Sequence, residues 1–501
     1  MTTALPADPI AALPAGSEVG SLARSGACWT FGMVVSRQAL NLGATVILAR
    51  LLSPADYGLV AMVMTLTAFF QFFSDMGLSW ATVQRSAITR QQVDNLFWVN
   101  AAFGALLWGA CALGGPLLNR FYGRSELAPV AAALGAGFLL GGVAVQPTAL
   151  LRRQMRLRAL ALMEVAARAA GAAAGVAMAL AGFGYWSLVG QALVAQAVAG
   201  ALALLVSGHR PGAPHRGAET GALIRFGGYL AGFSAIVYVG RNLDMVLVGK
   251  CFGPDQLGFY SRAAFLMTLP ALLATGSLSG VMIPALSALQ HDRERMGAAY
   301  RSAIHGIALI GFPVAVGLAV TAPEVVRLVY GERWAPVVPI LFWLSIAGLF
   351  LPSGITYGWM YVAAGKTRGL FHWGLCQTCF LAGGLLIGLR WGVVGVAAAQ
   401  TVASMVLTVP SLWLAHRAAG IGFGPTMRRL AFPFKASLVM GAISWLFGQL
   451  TVSSGFGWEA MLAAKVIAGV AAYAALCRRE VLRLVSPETA WLRQAPLPRV
   501  S

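Results

Sequence analysis

Arg37 and Arg241 are guanidinium groups inside stretches of chain that are otherwise apolar. A guanidinium presents a rigid fork of donors that grips phosphate or carboxylate oxygens two at a time. A charge at the centre of a bilayer costs about 2.5–3.5 kcal/mol on insertion scales, so each one needs a partner, a water-filled cavity or a function. Asp75, Glu164, Arg168, Asp244 and Lys465 are in the same position. Spacing suggests partners for most of them. Asp75 falls at a depth comparable to Arg37, Glu164 and Arg168 are i,i+4 on one helix, and Arg241 and Asp244 are i,i+3 on another. Each charge therefore has two readings, as half of a structural ion pair or as a lining group for an anionic substrate. Arg37 and Arg241 lie on the first and seventh apolar spans, so both are placed to face a common cavity.

Other residue types invite chemistry that their surroundings do not support. Cys376 and Cys379 have a CxxC spacing with His372 one turn earlier, but the run is apolar and offers neither further ligands nor thiolate-stabilising charge. His305 has the residue type of a proton relay and equally that of a satisfied core histidine. Gln71, Gln191, Gln196, Gln377 and Gln400 suit hydrogen bonding between helices. Lys435 is near enough to a membrane face to snorkel. No GxxxxGK[ST] loop is present, so the chain carries no ATP-binding cassette, and no nucleophile–base constellation or metal-ligand cluster is evident. The expectation is a protein without cofactor or metal that is not an enzyme.

The elements that must hold these charges follow from composition. Of 501 residues, 58% are hydrophobic and 11% charged, against roughly 45–50% and 25% in soluble domains. A soluble enzyme, a disordered scaffold and a disulfide-built secreted module are excluded on that ground. A helix needs about 20 apolar residues to cross the hydrocarbon. Fourteen stretches qualify, at about 29–50, 57–80, 94–118, 127–150, 159–181, 185–207, 224–249, 260–286, 298–320, 337–361, 369–390, 393–415, 430–450 and 458–477. Pro270, Pro284 and Pro352 predict bends or breaks in the eighth and tenth.

Lys and Arg total 36 and Asp and Glu 17, for a formal charge of +19. With the N-terminus in the cytoplasm, about 23 of the basic residues fall in cytoplasmic segments and about eight outside, the asymmetry of the positive-inside rule. That accounts for the charge without nucleic acid and places both termini in the cytoplasm. The segment near 321–336 reads as a small interfacial helix with Leu328, Val329 and Trp334 toward lipid.

The chain also repeats itself. LARLLSPADYGL (48–59) and VGKCFGPDQLGF (248–259) align at an offset of 200, pairing Arg50 with Lys250, Pro54 with Pro254 and Gly58 with Gly258. A second echo pairs Phe183-Gly184 with Trp391-Gly392. Two six-span halves with the same topology follow, and two further spans after them. The expected organisation is a disordered cytoplasmic tail (1–21), an N-terminal six-helix lobe (22–207), a cytoplasmic linker (208–223), a C-terminal six-helix lobe (224–416), two extra spans (430–477) and a basic cytoplasmic tail (478–501).

Four segments resemble the polysaccharide-flippase (Wzx-type) branch of the multidrug/oligosaccharidyl-lipid/polysaccharide exporter superfamily. They are ILARLLSPADYGLVAM with FFSDMGLSWATVQR, LLRRQMRLRALALMEVAAR, FGPDQLGFYSRAAFLM and YGERWAPVVPIL. The resemblance implies an all-α integral membrane fold of about 14 transmembrane helices, with two six-helix bundles around a central cavity and two C-terminal helices. It implies a substrate as well: an undecaprenyl-diphosphate-linked oligosaccharide moved from the cytoplasmic to the periplasmic leaflet of a bacterial inner membrane, for exopolysaccharide or O-antigen export by alternating access. A polymerase and export machinery would be its partners. Arg50, Pro54, Asp56, Gly58, Asp75, Gly77, Arg153, Pro254, Gly258, Tyr260, Arg262 and Trp334 stand in these motifs, mostly at membrane boundaries, where they read as turn, capping and gating positions. A peptidoglycan-precursor flippase and a cation-coupled drug exporter are the alternatives within the superfamily. A membrane polysaccharide polymerase or ligase is the alternative from another class. The basic residues in the spans weigh toward an anionic substrate.

Overall fold

The computed structural model describes residues 16–74, 79, 82–83, 88–213, 242–275, 279–453 and 457–485. Its helices are α1 (Gly16–Leu51), α2 (Pro54–Ser74), α3 (Arg90–Tyr122), α4 (Leu127–Arg153), α5 (Leu157–Leu180), α6 (Trp186–Ser207), α7 (Leu243–Thr275), α8 (Ser279–Ala288), α9 (Arg293–Val320), α10 (Ala322–Val329), α11 (Val337–Gly348), α12 (Leu351–Ala363), α13 (Thr367–Gly388), α14 (Gly392–Ala419), α15 (Phe423–Ser453) and α16 (Trp458–Val485). No strand occurs among the described residues. Nine helical stretches there are long and apolar enough to span a membrane, one of which (Arg368–Ala419) holds α13 and α14 about a turn at Leu389–Trp391. In lipid every backbone polar group must be satisfied within its own segment, which is why an apolar chain of this kind folds as helices.

The chain forms two compact units, residues 1–258 and 259–501. The division lies inside α7, not in the 208–223 linker. Residues 243–258 pack on the first unit: a Cβ on Gly249 would lie 3.1 Å from the Tyr122 ring and 3.5 Å from Met62. Helix α1 begins at Gly16, inside the segment expected to be a disordered tail.

In the first unit α3 and α4 make a hairpin, α5 packs on α1 and α6, and α4 lies against α6 and α2. Hydrocarbon is as apolar as leucine, so close van der Waals fit holds such helices together and small residues set how near they come. Cβ atoms on Gly104 and Gly142 would fall 2.4 and 2.5 Å from the carbonyl oxygens of Phe138 and Asn100, so α3 and α4 touch backbone to backbone. Thr89 and Gln92 close a capping box at the start of α3, and Gly123 at φ 71° ends it in the left-handed region. Large apolar side chains face outward, such as Leu113 at 82% exposure and Leu205 at 77%, which suits a lipid-covered surface.

The second unit centres on α9, which packs on α15, α11 and α12, with α14 against α13, α11 and α12. The expected tenth span is two helices, α11 and α12, with Pro352 in the first turn of the second, where a missing N–H costs nothing. Tyr300 is fully buried and bonds Thr356 through its hydroxyl at 3.0 Å. Trp334, expected toward lipid, is fully buried instead. Gly331 at φ 91° and the one-turn 3₁₀ helix Glu332–Trp334 turn the indole inward, between the rings of Tyr330 and Phe259. Leu328 does face outward.

Candidate functional site

The seam between α1 and α5 carries charge inside the spans. Glu164 on α5 has a guanidinium on either side of one oxygen. Arg37 Nη1 on α1 lies 3.8 Å from Glu164 Oε1, and Arg168 Nη2, one turn along α5, lies 3.5 Å from the same atom. The three side chains are 34%, 36% and 46% exposed. Arg168 sits eleven residues into a 24-residue helix, about 16 Å along its axis and near its middle. Further along the seam Arg158 lies 5.1 Å from the centroid of the Trp29 ring, a cation–π contact that holds another guanidinium at the seam. Two guanidinium groups sharing one carboxylate retain a net positive charge.

The other candidates separate by position. Arg37 pairs with Glu164 across helices; Asp75, the partner suggested by depth, and Arg241 lie outside the described residues. Asp244 is half-buried in the first turn of α7, where its Oδ1 accepts from the Met245 N–H at 2.8 Å. Lys465 is buried in the second unit. Its Nζ donates to Glu324 Oε1 at 2.7 Å and to the Val320 carbonyl at 3.2 Å, tying α16 to α10. Gly448 leaves the room for that side chain, since a Cβ there would lie 2.3 Å from Lys465 Cε. His305 is buried, with Nδ1 3.0 Å from the Arg429 carbonyl and Nε2 3.5 Å from Glu480.

The repeated blocks meet each other. A Cβ on Gly58 would lie 1.8 Å from the Pro254 carbonyl oxygen, and a Cβ on Gly258 would lie 2.0 Å from that of Pro54. The contact is reciprocal, so the sequence repeat is also a local two-fold in space. Ser53 and Asp56 cap α2: the Ser53 N–H and hydroxyl donate to Asp56 Oδ2 at 2.8 and 2.6 Å. The matching position in the second block is Gly253, whose φ of 82° breaks α7 just before Pro254. Arg50 ends α1, while Lys250 stands just before that break and donates to the Phe121 carbonyl. In the second unit the Tyr330 hydroxyl donates to the Arg262 carbonyl at 3.1 Å, the Arg262 guanidinium lies over the Phe265 ring, and Tyr260 is fully buried. Two motifs 68 residues apart are thus one packed unit.

Sequence reasoning missed several polar contacts. Asp94 on α3 and His209, just past α6, form a buried pair at 3.5 Å. The Trp98 indole donates to the Gly212 carbonyl at 2.7 Å, so the first residues of the linker are held on α3. Burial pushes the His209 pKa below its usual value; Asp94 opposes that shift and Arg90 adds to it. The signal available was a lone carboxylate at the edge of an apolar span. Arg153, a motif residue expected at a membrane boundary, is buried and donates to the Thr82 carbonyl at 2.9 Å, while Thr82 donates to Gln146 at 2.9 Å.

These helices and the charges held within them define a multi-pass, helical membrane protein. Residues 47–339 match the family described as polysaccharide biosynthesis protein, and the chain belongs to that family. It is 25% identical to the lipopolysaccharide biosynthesis protein WzxC of Escherichia coli (strain K12), over 85% of this chain and 87% of that one. It is 24% identical to the teichuronic acid biosynthesis protein TuaB of Bacillus subtilis (strain 168), over 93% and 96%. Among solved structures, the lipid II flippase MurJ in an inward closed conformation superposes with a TM-score of 0.69 at 13% identity, covering 91% of this chain and 99% of that one. An inward-facing multidrug resistance MATE transporter superposes with a TM-score of 0.56 at 14% identity, over 77% and 94%.

Proposed function

We propose that this protein is a flippase that carries an undecaprenyl-diphosphate-linked oligosaccharide from the cytoplasmic to the periplasmic leaflet of a bacterial inner membrane by alternating access. The observation that carries the reading is the Arg37–Glu164–Arg168 cluster, a partly exposed, net-positive group inside the spans. A sugar–diphosphate head group cannot cross hydrocarbon unaided, because burying its charges is prohibitive. Guanidinium forks replace the water around a diphosphate with charge-assisted bonds. Moving a lipid head group breaks no covalent bond, so no catalytic group is required. The names of relatives support the substrate class: WzxC and TuaB are named for lipopolysaccharide and teichuronic acid biosynthesis, and a 27%-identical relative in Rhizobium meliloti (strain 1021) is named a succinoglycan biosynthesis transport protein.

The test is the sidedness of lipid-linked repeat units in spheroplasts. Deleting the gene leaves them in the inner leaflet, shielded from glycosidases added outside. Arg37→Ala and Arg168→Ala reproduce that state at normal protein levels. Full accessibility in the deletion strain would assign the block to a later polymerase or ligase step and remove the flippase reading. Wild-type export in both arginine variants would remove the cluster as the head-group site.

A further inference from the structure

We propose that the groove between α13 and α14 binds one acyl chain of an anionic phospholipid whose head group pairs with Arg390. The groove has a volume of about 500 Å³, and every residue that lines it is apolar, among them Phe380, Gly384, Gly388, Trp391, Ala398 and Val402. It lies on an outward face, where Ile387, Trp391 and Val402 are 58%, 68% and 53% exposed. Its floor exists because the two helices meet through glycine: a Cβ on Gly395 would lie 2.4 Å from the Gly388 carbonyl oxygen, and Gly384 has nothing closer than the Ala399 carbonyl at 4.0 Å.

Length and charge indicate the occupant. Phe380 to Trp391 is eleven residues, about 16 Å of helix. That matches one leaflet's share of a hydrocarbon core about 30 Å thick. At the end of the groove the 3₁₀ turn Leu389–Trp391 places an exposed tryptophan beside an exposed arginine, the pair of residue types that marks the head-group level. A chain filling the groove from that turn ends near the bilayer midplane with its phosphate beside Arg390.

The repeat supplies an independent comparison. At the offset that relates Phe183-Gly184 to Trp391-Gly392, Gly384, Gly388 and Ala399 correspond to Val176, Leu180 and Gln191, and Arg390 corresponds to Gly182. Both helix pairs approach closely: a Cβ on Gly175 would lie 2.9 Å from Gln191 Cβ, and one on Gly388 would lie 2.8 Å from Ala399 Cβ. The cation at the mouth of the groove therefore has a glycine, Gly182, at the matching place in the first unit. The proposal does not depend on the carrier function.

The experiment is native mass spectrometry of the full-length protein in mild detergent, titrated with palmitoyl-oleoyl phosphatidylglycerol, with the matching phosphatidylcholine and with undecaprenyl phosphate. Wild type should retain phosphatidylglycerol about fivefold better than phosphatidylcholine, the share expected of one cation near the membrane surface. Arg390→Ala should abolish that preference. Ala398→Phe and, independently, Val402→Phe should lower retention of both phospholipids. Equal retention of the two phospholipids by wild type, an unchanged preference in Arg390→Ala, or undisturbed binding in both filled variants would overturn the proposal. Displacement of phosphatidylglycerol by an equal concentration of undecaprenyl phosphate would overturn it in favour of a polyprenyl occupant.

Discussion

Replacing Gly58 or Gly258 by alanine tests the reciprocal contact of the repeated blocks. A methyl carbon at 58 would stand 1.8 Å from the Pro254 carbonyl oxygen and one at 258 would stand 2.0 Å from that of Pro54; real Cβ contacts below 3.0 Å essentially never occur. Both obstacles are backbone, so no side chain can swing aside. The start of α2 and the helical segment 254–258 after the Gly253 break must part by about 1 Å or more, and overpacking of this kind costs about 1–3 kcal/mol, occasionally more. Alanine regains about 0.5–1 kcal/mol of helix propensity over glycine, so the net loss in either single variant is about 1–2 kcal/mol. Once one alanine has parted the two segments, the second finds space already made. The double variant should therefore lose clearly less than the sum of the singles, as contacting sites do. Gly43 on α1 has nothing within 4 Å of its notional Cβ, so Gly43→Ala is the control and should be neutral or stabilising. Thermal unfolding in detergent measures all four proteins. Wild-type stability in both single variants, or strict additivity in the double, would refute the reciprocal packing.

The buried pair of Lys465 and Glu324 yields a second expectation. Lys465→Ala leaves a carboxylate in a nearly closed site and should destabilise by about 3–5 kcal/mol, while Lys465→Met with Glu324→Leu together should recover most of the loss; equal instability of the double variant in the same unfolding assay would contradict this. The Asp94–His209 pair should make the docking of the linker on α3 depend on pH. Burial lowers the His209 pKa in the docked state, so the released state binds more protons and docking weakens as pH falls below the ordinary histidine value of about 6.5. Hydrogen exchange across residues 209–213 should be slow and level above that pH and faster at pH 5.5. His209→Gln should flatten the profile, and a flat profile in wild type would exclude the latch.

The spans and the repeat were legible in the sequence because both rest on periodicity. An apolar run long enough to cross lipid has few other uses, and Pro54–Gly58 against Pro254–Gly258 is a match of residue types that a tight helix-end contact requires. What the repeated glycines touch was not legible, because a glycine announces that something comes close without saying what. Trp334 was misjudged for a related reason. An aromatic residue in a short amphipathic segment suits a membrane interface, and only the backbone turn at Gly331 sends it inward to Tyr330 and Phe259. Arg153 was legible only as a motif residue at a membrane boundary; its burial goes with the Thr82 carbonyl, which is distant in sequence.

The intramembrane charges show what only three dimensions supply. By composition Lys465 and Arg37 are alike, each a cation in an apolar span with the same insertion cost. Their surroundings make them opposites. Lys465 meets one carboxylate in a site where the two side chains are 9% and 2% exposed, so the pair neutralises itself and its low-dielectric setting excludes other ligands. Arg37 shares its carboxylate with Arg168, and all three groups keep a third or more of their surface. The first arrangement spends its charge on holding α16 to α10. The second retains an unmatched positive charge on partly exposed side chains. Ratio and exposure together, two guanidinium groups to one accessible carboxylate, distinguish this cluster from the closed Lys465–Glu324 pair, and both depend on which helices face each other.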